Sequence, residues 1–275
     1  MVLRTMSVRR VPTFMRNRLI PMLAGVAAAC LIFAATAAAN SQSPFHFGFK
    51  KSKQGSLPSI AEEGFMNILQ RQQAIFLGNT NSKELYLTFD NGYENGFTPR
   101  ILDILRDKQV PAAFFVTGHF VKDQAELVQR MAKEGHLIGN HSWSHPDLSQ
   151  VGAERIRGEM DKVRQAVAEL TGGQEMKFMR PPRGIFSDRM LSVCRELGYT
   201  GVFWSVAYKD WDVNSQRGGQ YAYDSVMSQL HPGAVILLHS VSRDNVEALG
   251  RIIDAARSQG YEFKSLNELQ MKTYR

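Results

Sequence analysis

Cysteine is nearly missing from this chain, with two in 275 residues, Cys30 and Cys194. Cys30 lies in an N-terminal apolar run, so any form that loses the run keeps Cys194 alone and has no intrachain disulfide. Cys194 itself shares a predicted helical face with Met190 and Leu197, which favours packing over nucleophilic chemistry. Acidic residues are absent before Glu62, although Arg4, Arg9, Arg10, Arg16 and Arg18 precede an uncharged run from Leu19 to Ala39. Basic, apolar and small-residue zones in that order, ending at Ala37-Ala38-Ala39, make a secretory signal of residues 1–39. The run also matches the ~20 residues of a bilayer span, so an uncleaved anchor is the alternative. A third reading lipidates Cys30, against which LIFAA continues apolar beyond it. All three export the domain, and any membrane contact is through this segment alone.

The formal charge of +7 reflects that segment. Without it, 28 basic residues face 26 acidic ones, a net charge of +2. No arginine-rich stripe with interleaved aromatics follows, so a nucleic-acid partner is excluded.

Residues 40–80 read as a linker and N-terminal arm. Ser, Pro, Gly and Lys without periodicity fill 40–60, His46 is expected in solvent, and a short helix within 61–80 would dock Phe65, Ile68, Leu69 and Ile75. From residue 81 to 272 strand, turn and helix alternate. The predicted strands are 84–89, 112–117, 136–140, 176–180, 201–206, 234–239 and 261–264. Helices are expected at 98–108, 123–134, 151–171, 187–197, about 220–230 and 243–258. In the third of these, Ile156, Met160, Val163, Val167 and Leu170 form one apolar face. Such alternation implies right-handed crossovers and a parallel sheet covered by helices. The fold class is α/β, a distorted or partial (β/α) barrel in one catalytic domain, with an open doubly wound sheet as the alternative.

Chemistry in such folds gathers at the C-terminal ends of strands. The stretch Leu85–Gly96, LYLTFDNGYENG, ends a strand in Asp90 and Asn91, residues that also suit a plain turn. His141 and His145 follow the third strand and, four apart in HSWSH, would face one way on a helical turn and share a cation, with the Asp90-Asn91 turn as third supplier. Arg180 and Arg183 stand in RPPRG, stiffened by two prolines. Asp210 and Trp211 follow the fifth strand, where the indole is either core or an apolar wall against a sugar. His239 ends AVILLH, held by a buried strand as a core residue or an acid/base. His119, His136 and His231 read as loop or strand-edge residues.

Taken in order, TFDNG, HSWSH, RPPRG, DW and LLH resemble the five motifs of the polysaccharide deacetylases, the NodB homology domain, over roughly residues 80 to 270. The resemblance implies a partial (β/α) barrel and divalent-metal hydrolysis of an N-acetyl group on a cell-wall or chitin-like glycan. By it, Asp90 is the general base oriented by Arg180, and His239 is the general acid tuned by Asp210. His141, His145 and Asn91 hold the cation, zinc or else cobalt or manganese, while Trp211 and Leu237 line the acetyl pocket. Two positions depart from most members, which carry aspartate in place of Asn91 and tyrosine in place of Arg183. TFDNGYENG, RPPRG and DNVEALGRIIDAARSQGYEFKSL look like the branch of delta-lactam-biosynthetic de-N-acetylases. That branch acts on N-acetylmuramic acid in peptidoglycan on the way to muramic delta-lactam in spore cortex, and Arg183 then suits the lactyl carboxylate. A peptidoglycan strand is the implied partner. Other readings are deacetylation of N-acetylglucosamine in peptidoglycan or chitin, or a noncatalytic wall-binding module.

Overall fold

The computed structural model describes residues 43–269, apart from 54 and 55. The signal or anchor at 1–39 lies outside the described residues, and among those described no helix is long and apolar enough to cross a membrane. The described residues belong to one compact unit.

After strand β1 (Phe45–His46) and helix α1 (Met66–Arg71), strands and helices alternate as the periodicity requires. β2 (Glu84–Asn91) precedes α2 (Thr98–Lys108), and β3 (Ala112–Val116) precedes the pair α3 (Gly118–Asp123) and α4 (Ala125–Lys133). Next come β4 (Leu137–Asn140), α5 (Ala153–Thr171), β5 (Phe178–Met179), β6 (Ile185–Phe186) and α6 (Asp188–Glu196). β7 (Thr200–Gly201), α7 (Gly219–Met227), β8 (Ala234–His239), α8 (Arg243–Ser258) and β9 (Glu262–Phe263) complete the order. Three helices start where a hydroxyl can take an orphan N–H: Thr117, Ser187 and Ser242 accept from Phe120, Met190 and Asn245.

The main sheet is parallel in the order β7-β5-β4-β3-β2-β8, with β9 beside the start of β2. It curls back on itself. Ser205 N–H donates to the Val235 carbonyl and Leu237 N–H to that of Val206, both at 2.9 Å, so the chain after β7 runs along β8. Below this seam residues 75–78 fill the gap, with Ile75 N–H on the Gly201 carbonyl at 2.8 Å and Gly78 N–H on that of Gly233 at 2.8 Å. The result is the partial barrel and not the open sheet.

Strand alternation sorts two cores. Leu85, Leu87, Phe89, Phe114, Val116, Ile236 and Leu238 face the helices. Tyr86, Ala113, Phe115 and Val235 fill the barrel interior, where Leu266 and Leu269 join them. Continued upward, the interior parity runs through Thr88 to Asp90, through Leu237 to His239, and on beyond β4 and β5 to His141 and Arg180. Gly139 in β4 makes room for this stack: a Cβ there would lie 2.4 Å from the Phe115 ring.

The arm departs from expectation. Phe45, Phe47 and Phe49 pack on the main core, with Phe47 stacked on Phe203 at 4.5 Å and edge-on to Trp204 at 5.2 Å. β1 pairs antiparallel with β6. Residues 45–49 are therefore built into the domain and not a loose linker, because their period-two aromatic pattern has a face to bury; His46 between them is exposed, as expected.

Candidate active site

Asp90 ends β2 at the barrel mouth and is 7% exposed. Its Oδ1 accepts from Arg180 Nη1 at 2.7 Å. Burial alone would raise this carboxyl, but Arg180, His141 and His239 outweigh it and hold it below the usual carboxylate range. Arg180 is fully buried and has every direction filled: Nε donates to the Val202 carbonyl at 3.0 Å and Nη2 to Thr88 Oγ1 at 2.9 Å. Its guanidinium lies 4.2 Å over the Phe115 ring. Thr88, which sequence reasoning passed over, locks this arginine by donating in turn to the Ile236 carbonyl at 2.7 Å. The signal was available in its alternation with Asp90.

His141 Nδ1 lies 2.8 Å from the Arg180 carbonyl, which only accepts, so the proton sits on Nδ1 and Nε2 is free. Nε2 is 3.6 Å from Asp90 Oδ2. No helix follows β4 here, contrary to the helical turn expected. Ser142 and His145 instead adopt positive φ (65° and 55°), and the bend still brings the two imidazoles together at 4.9 Å. Asn140 Oδ1 takes Ser142 N–H at 3.0 Å, Ser142 Oγ takes His145 N–H at 3.1 Å, and buried Glu159 of α5 takes Ser144 N–H at 2.7 Å. Burial pushes both histidines down, His145 to about 4, so both stay neutral near pH 7, the form that binds a cation.

Across the mouth, His239 Nδ1 donates to Asp210 Oδ1 at 2.7 Å, and its backbone N–H reaches Asp210 Oδ2 at 2.7 Å. Burial lowers this imidazole, yet Asp210 prevails and raises it above the ordinary value. Asn245, also missed from the sequence, donates to Asp210 Oδ2 at 2.6 Å and to the His239 carbonyl at 3.0 Å, and accepts from Tyr208 Oη at 2.5 Å.

Asp90, His141, His145 and His239 line one cleft of about 820 Å³ with Tyr93, Trp143, Arg183, Trp204, Trp211 and Leu237, while Arg180, Asp210 and Asn245 stand behind them. Trp211 is 53% exposed, 5.9 Å from the His239 ring, and so stands as a wall of the cleft and not in the core. Leu237 also lines the cleft. Arg183 is exposed at the rim, and among the described residues no carboxylate pairs with it. Of the other histidines, His119 lies on α3 and lines the cleft, while His136 and His231 are buried.

Asn91 is not brought into the cleft. One step from Asp90 along a strand turns its side chain to the helix side, where Oδ1 accepts from Ser240 Oγ at 3.1 Å and Nδ2 reaches Thr98 Oγ1 at 3.4 Å. Among the described residues no group of three His, Cys, Asp or Glu side chains is arranged to hold a metal. The donor chemistry that is present, two neutral imidazoles beside an ionised carboxylate, fits a divalent cation, with His141 and His145 as its holders.

A carboxyl held low on one side of a cleft, with an imidazole held high on the other, suits hydrolysis of an amide. That is the class the fold and the site define. The sequence profile of the polysaccharide deacetylases matches residues 77–202. The chain is 49% identical to the peptidoglycan-N-acetylmuramic acid deacetylase PdaA of Bacillus subtilis, covering 87% of this chain and 90% of that protein. The solved structure of PdaA, a family 4 carbohydrate esterase, superposes with a TM-score of 0.81 at 50% identity over 83% of this chain and 97% of the other. A peptidoglycan-N-acetylglucosamine deacetylase of Bacillus cereus is 36% identical over 70% of each chain. The chain belongs to the polysaccharide deacetylase family and is a carbohydrate de-N-acetylase, an amide hydrolase of a metal-dependent family.

Proposed function

We propose that the protein removes the acetyl group from N-acetylmuramic acid in peptidoglycan, as a step towards muramic delta-lactam, outside the cytoplasmic membrane. The observation that carries the muramic reading is Arg183. It stands on the cleft rim with no carboxylate partner among the described residues, on a left-handed backbone (φ 58°, ψ 11°) that costs a non-glycine residue roughly 1–3 kcal/mol. A muramic unit differs from a glucosamine by a lactyl carboxylate, which a guanidinium holds bidentately. Export rests on the arginine-led apolar segment at 1–39, and spore cortex is the setting suggested by the delta-lactam branch.

The cation is zinc in this reading, with cobalt or manganese as substitutes, bound by His141 and His145; when bound it acidifies a water and polarises the acetyl carbonyl. Asp90 Oδ2, the oxygen not taken by Arg180, receives the proton of the attacking water. In RPPRG the prolines have no N–H and that of Gly184 is spent on the Pro181 carbonyl at 3.0 Å. The Arg183 N–H is then the turn's remaining donor towards the developing oxyanion. His239, protonated and braced by Asp210, returns a proton to the departing nitrogen, without which the amine is a poor leaving group. Leu237 and Trp211 supply the apolar wall for the acetyl methyl.

Arg183→Tyr tests the substrate. Acetate release from muramic-acid-containing glycans should fall about tenfold or more relative to that from N-acetylglucosamine oligomers, a loss of at least about 1.4 kcal/mol. Equal losses on both would assign the protein to glucosamine.

A further inference from the structure

Residues 45–51 of the arm grip chain segments on two sides of the cleft, yet the mechanism above gives them no part. On one side β1 lies antiparallel to β6, pairing Phe45 with Phe186 and His46 with Ile185, directly after the RPPRG turn. Phe47 N–H then donates to the Gly184 carbonyl at 2.9 Å. On the other side Lys51 Nζ donates to the Ala207 carbonyl at 3.3 Å, three residues before Asp210.

Local preference alone does not hold the turn that the arm grips. Arg183 and Gly184 are consecutive left-handed residues, at φ 58° and 68°, and an arginine keeps that region only where its surroundings impose it. The surroundings here are aromatic. A Cβ on Gly184 would lie 2.8 Å from Trp204 Cη2 and 3.4 Å from Phe47 Cβ, so the turn is seated in a notch between these two side chains. Phe47 closes the notch edge-on to Trp204 at 5.2 Å and is itself fixed by its stack on Phe203 at 4.5 Å. Arg183, Gly184 and Trp204 all line the cleft, whereas Phe47 does not. Two groups of Arg183 depend on that seat: its N–H, the turn's remaining donor towards the oxyanion, and its guanidinium, the proposed partner of the lactyl carboxylate. A turn that relaxed to a right-handed or extended backbone would swing both away.

We infer that Phe47 is a positioning residue for Arg183: it keeps the N–H and the guanidinium of that residue aimed into the cleft, which makes the arm a specificity element for the muramic substrate. The muramic part of this statement rests on the proposed function; the grip of Phe47 on the turn does not.

The test compares the zinc-loaded full chain with its Phe47→Ala, Arg183→Tyr and double variants, each assayed for acetate release from muramic-acid-containing glycans and from N-acetylglucosamine oligomers. Amide hydrogen exchange over residues 183–186 is followed by mass spectrometry in the same proteins without substrate. Phe47→Ala should quicken that exchange about tenfold or more, because the turn opens locally. It should also lower kcat on both sugars, through the loosened Arg183 N–H, and reduce the preference for muramic glycans about fivefold besides. In the double variant the preference should be no lower than in Arg183→Tyr alone, since both changes act on one interaction. Unchanged exchange overturns the inference. So does an equal loss on both sugars in Phe47→Ala when Arg183→Tyr loses muramic activity selectively, the pattern of a merely structural role. Equal losses in Arg183→Tyr itself remove the substrate reading instead, and the grip of Phe47 then stands or falls by the exchange and the shared fall in kcat. Should Phe47→Ala not fold, Phe47→Leu, which keeps apolar bulk without the ring stack, carries the same expectations in smaller measure.

Discussion

At Asp90 and Asn91 a single backbone step separates a cleft carboxylate from a buried brace. The sequence pools the two as candidates, since both end a strand and both carry oxygens, but alternation sends one into the barrel and the other towards Thr98 and Ser240. Asn91→Ala should therefore cost about 1–3 kcal/mol of stability, the penalty of leaving buried partners unmatched, in a urea titration. Metal affinity by calorimetry should change by less than about threefold, whereas a loss of about tenfold or more would restore Asn91 as a ligand. The motif residues Asp90, His141, His145, Arg180, Asp210 and His239 were all legible, because each follows a strand and belongs to a recognisable string. Thr88 was passed over although its alternation with Asp90 marks the same face, and Asn245 was not legible because it acts on Asp210 from a helix position with no pattern of its own. Ionisation at this scale sets the pH profile. Asp90, held low, must be ionised, and His239, held high by Asp210, must be protonated, so kcat/KM should fall on the alkaline side as pH passes the raised His239 value. Asp210→Asn removes the raising charge and leaves burial to lower the imidazole, so that limb should move to lower pH. An alkaline limb that stays put would mean another group titrates there.

Among the elements, β2, β3, β8 and the long helices fell within a residue or two of their sequence reading, since period-two and helical patterns are unbroken in them. The strand expected at 176–180 shrinks to β5, Phe178–Met179, and that at 201–206 to Thr200–Gly201, because their continuations carry the site or the barrel seam. The loop holding His141 and His145 is not the helical turn their spacing suggested; side chains of Asn140, Ser142 and Glu159 fold it instead. The stack of Gly139, Phe115 and Arg180 couples these elements to the base. Gly139→Ala should force Phe115 aside, lowering stability by about 1–3 kcal/mol in urea. It should also reduce kcat more than it raises KM, since Arg180 aims Asp90 and does not touch substrate. Unchanged kcat would uncouple the stack from the site.

For the molecule as a whole, the seam at 205–206 with its filler at 75–78 turns an open sheet into a mouth where groups about 150 positions apart, from Asp90 to His239, converge. The aromatic arm at 45–49 buttresses that seam through Phe203 and Trp204, a role hidden in the sequence by its Ser, Gly and Lys neighbours. Modest net charge beyond residue 39 agrees with a glycan and not a polyanion as partner. The central claim is that this mouth strips acetyl from muramic acid. Mass spectrometry of muropeptides after incubation of glycan strands with the zinc-loaded protein tests it directly. The account predicts muramic units lacking one acetyl group with glucosamine units intact, and no such product from Asp90→Asn; acetyl loss confined to glucosamine, or no loss from either sugar, would contradict it.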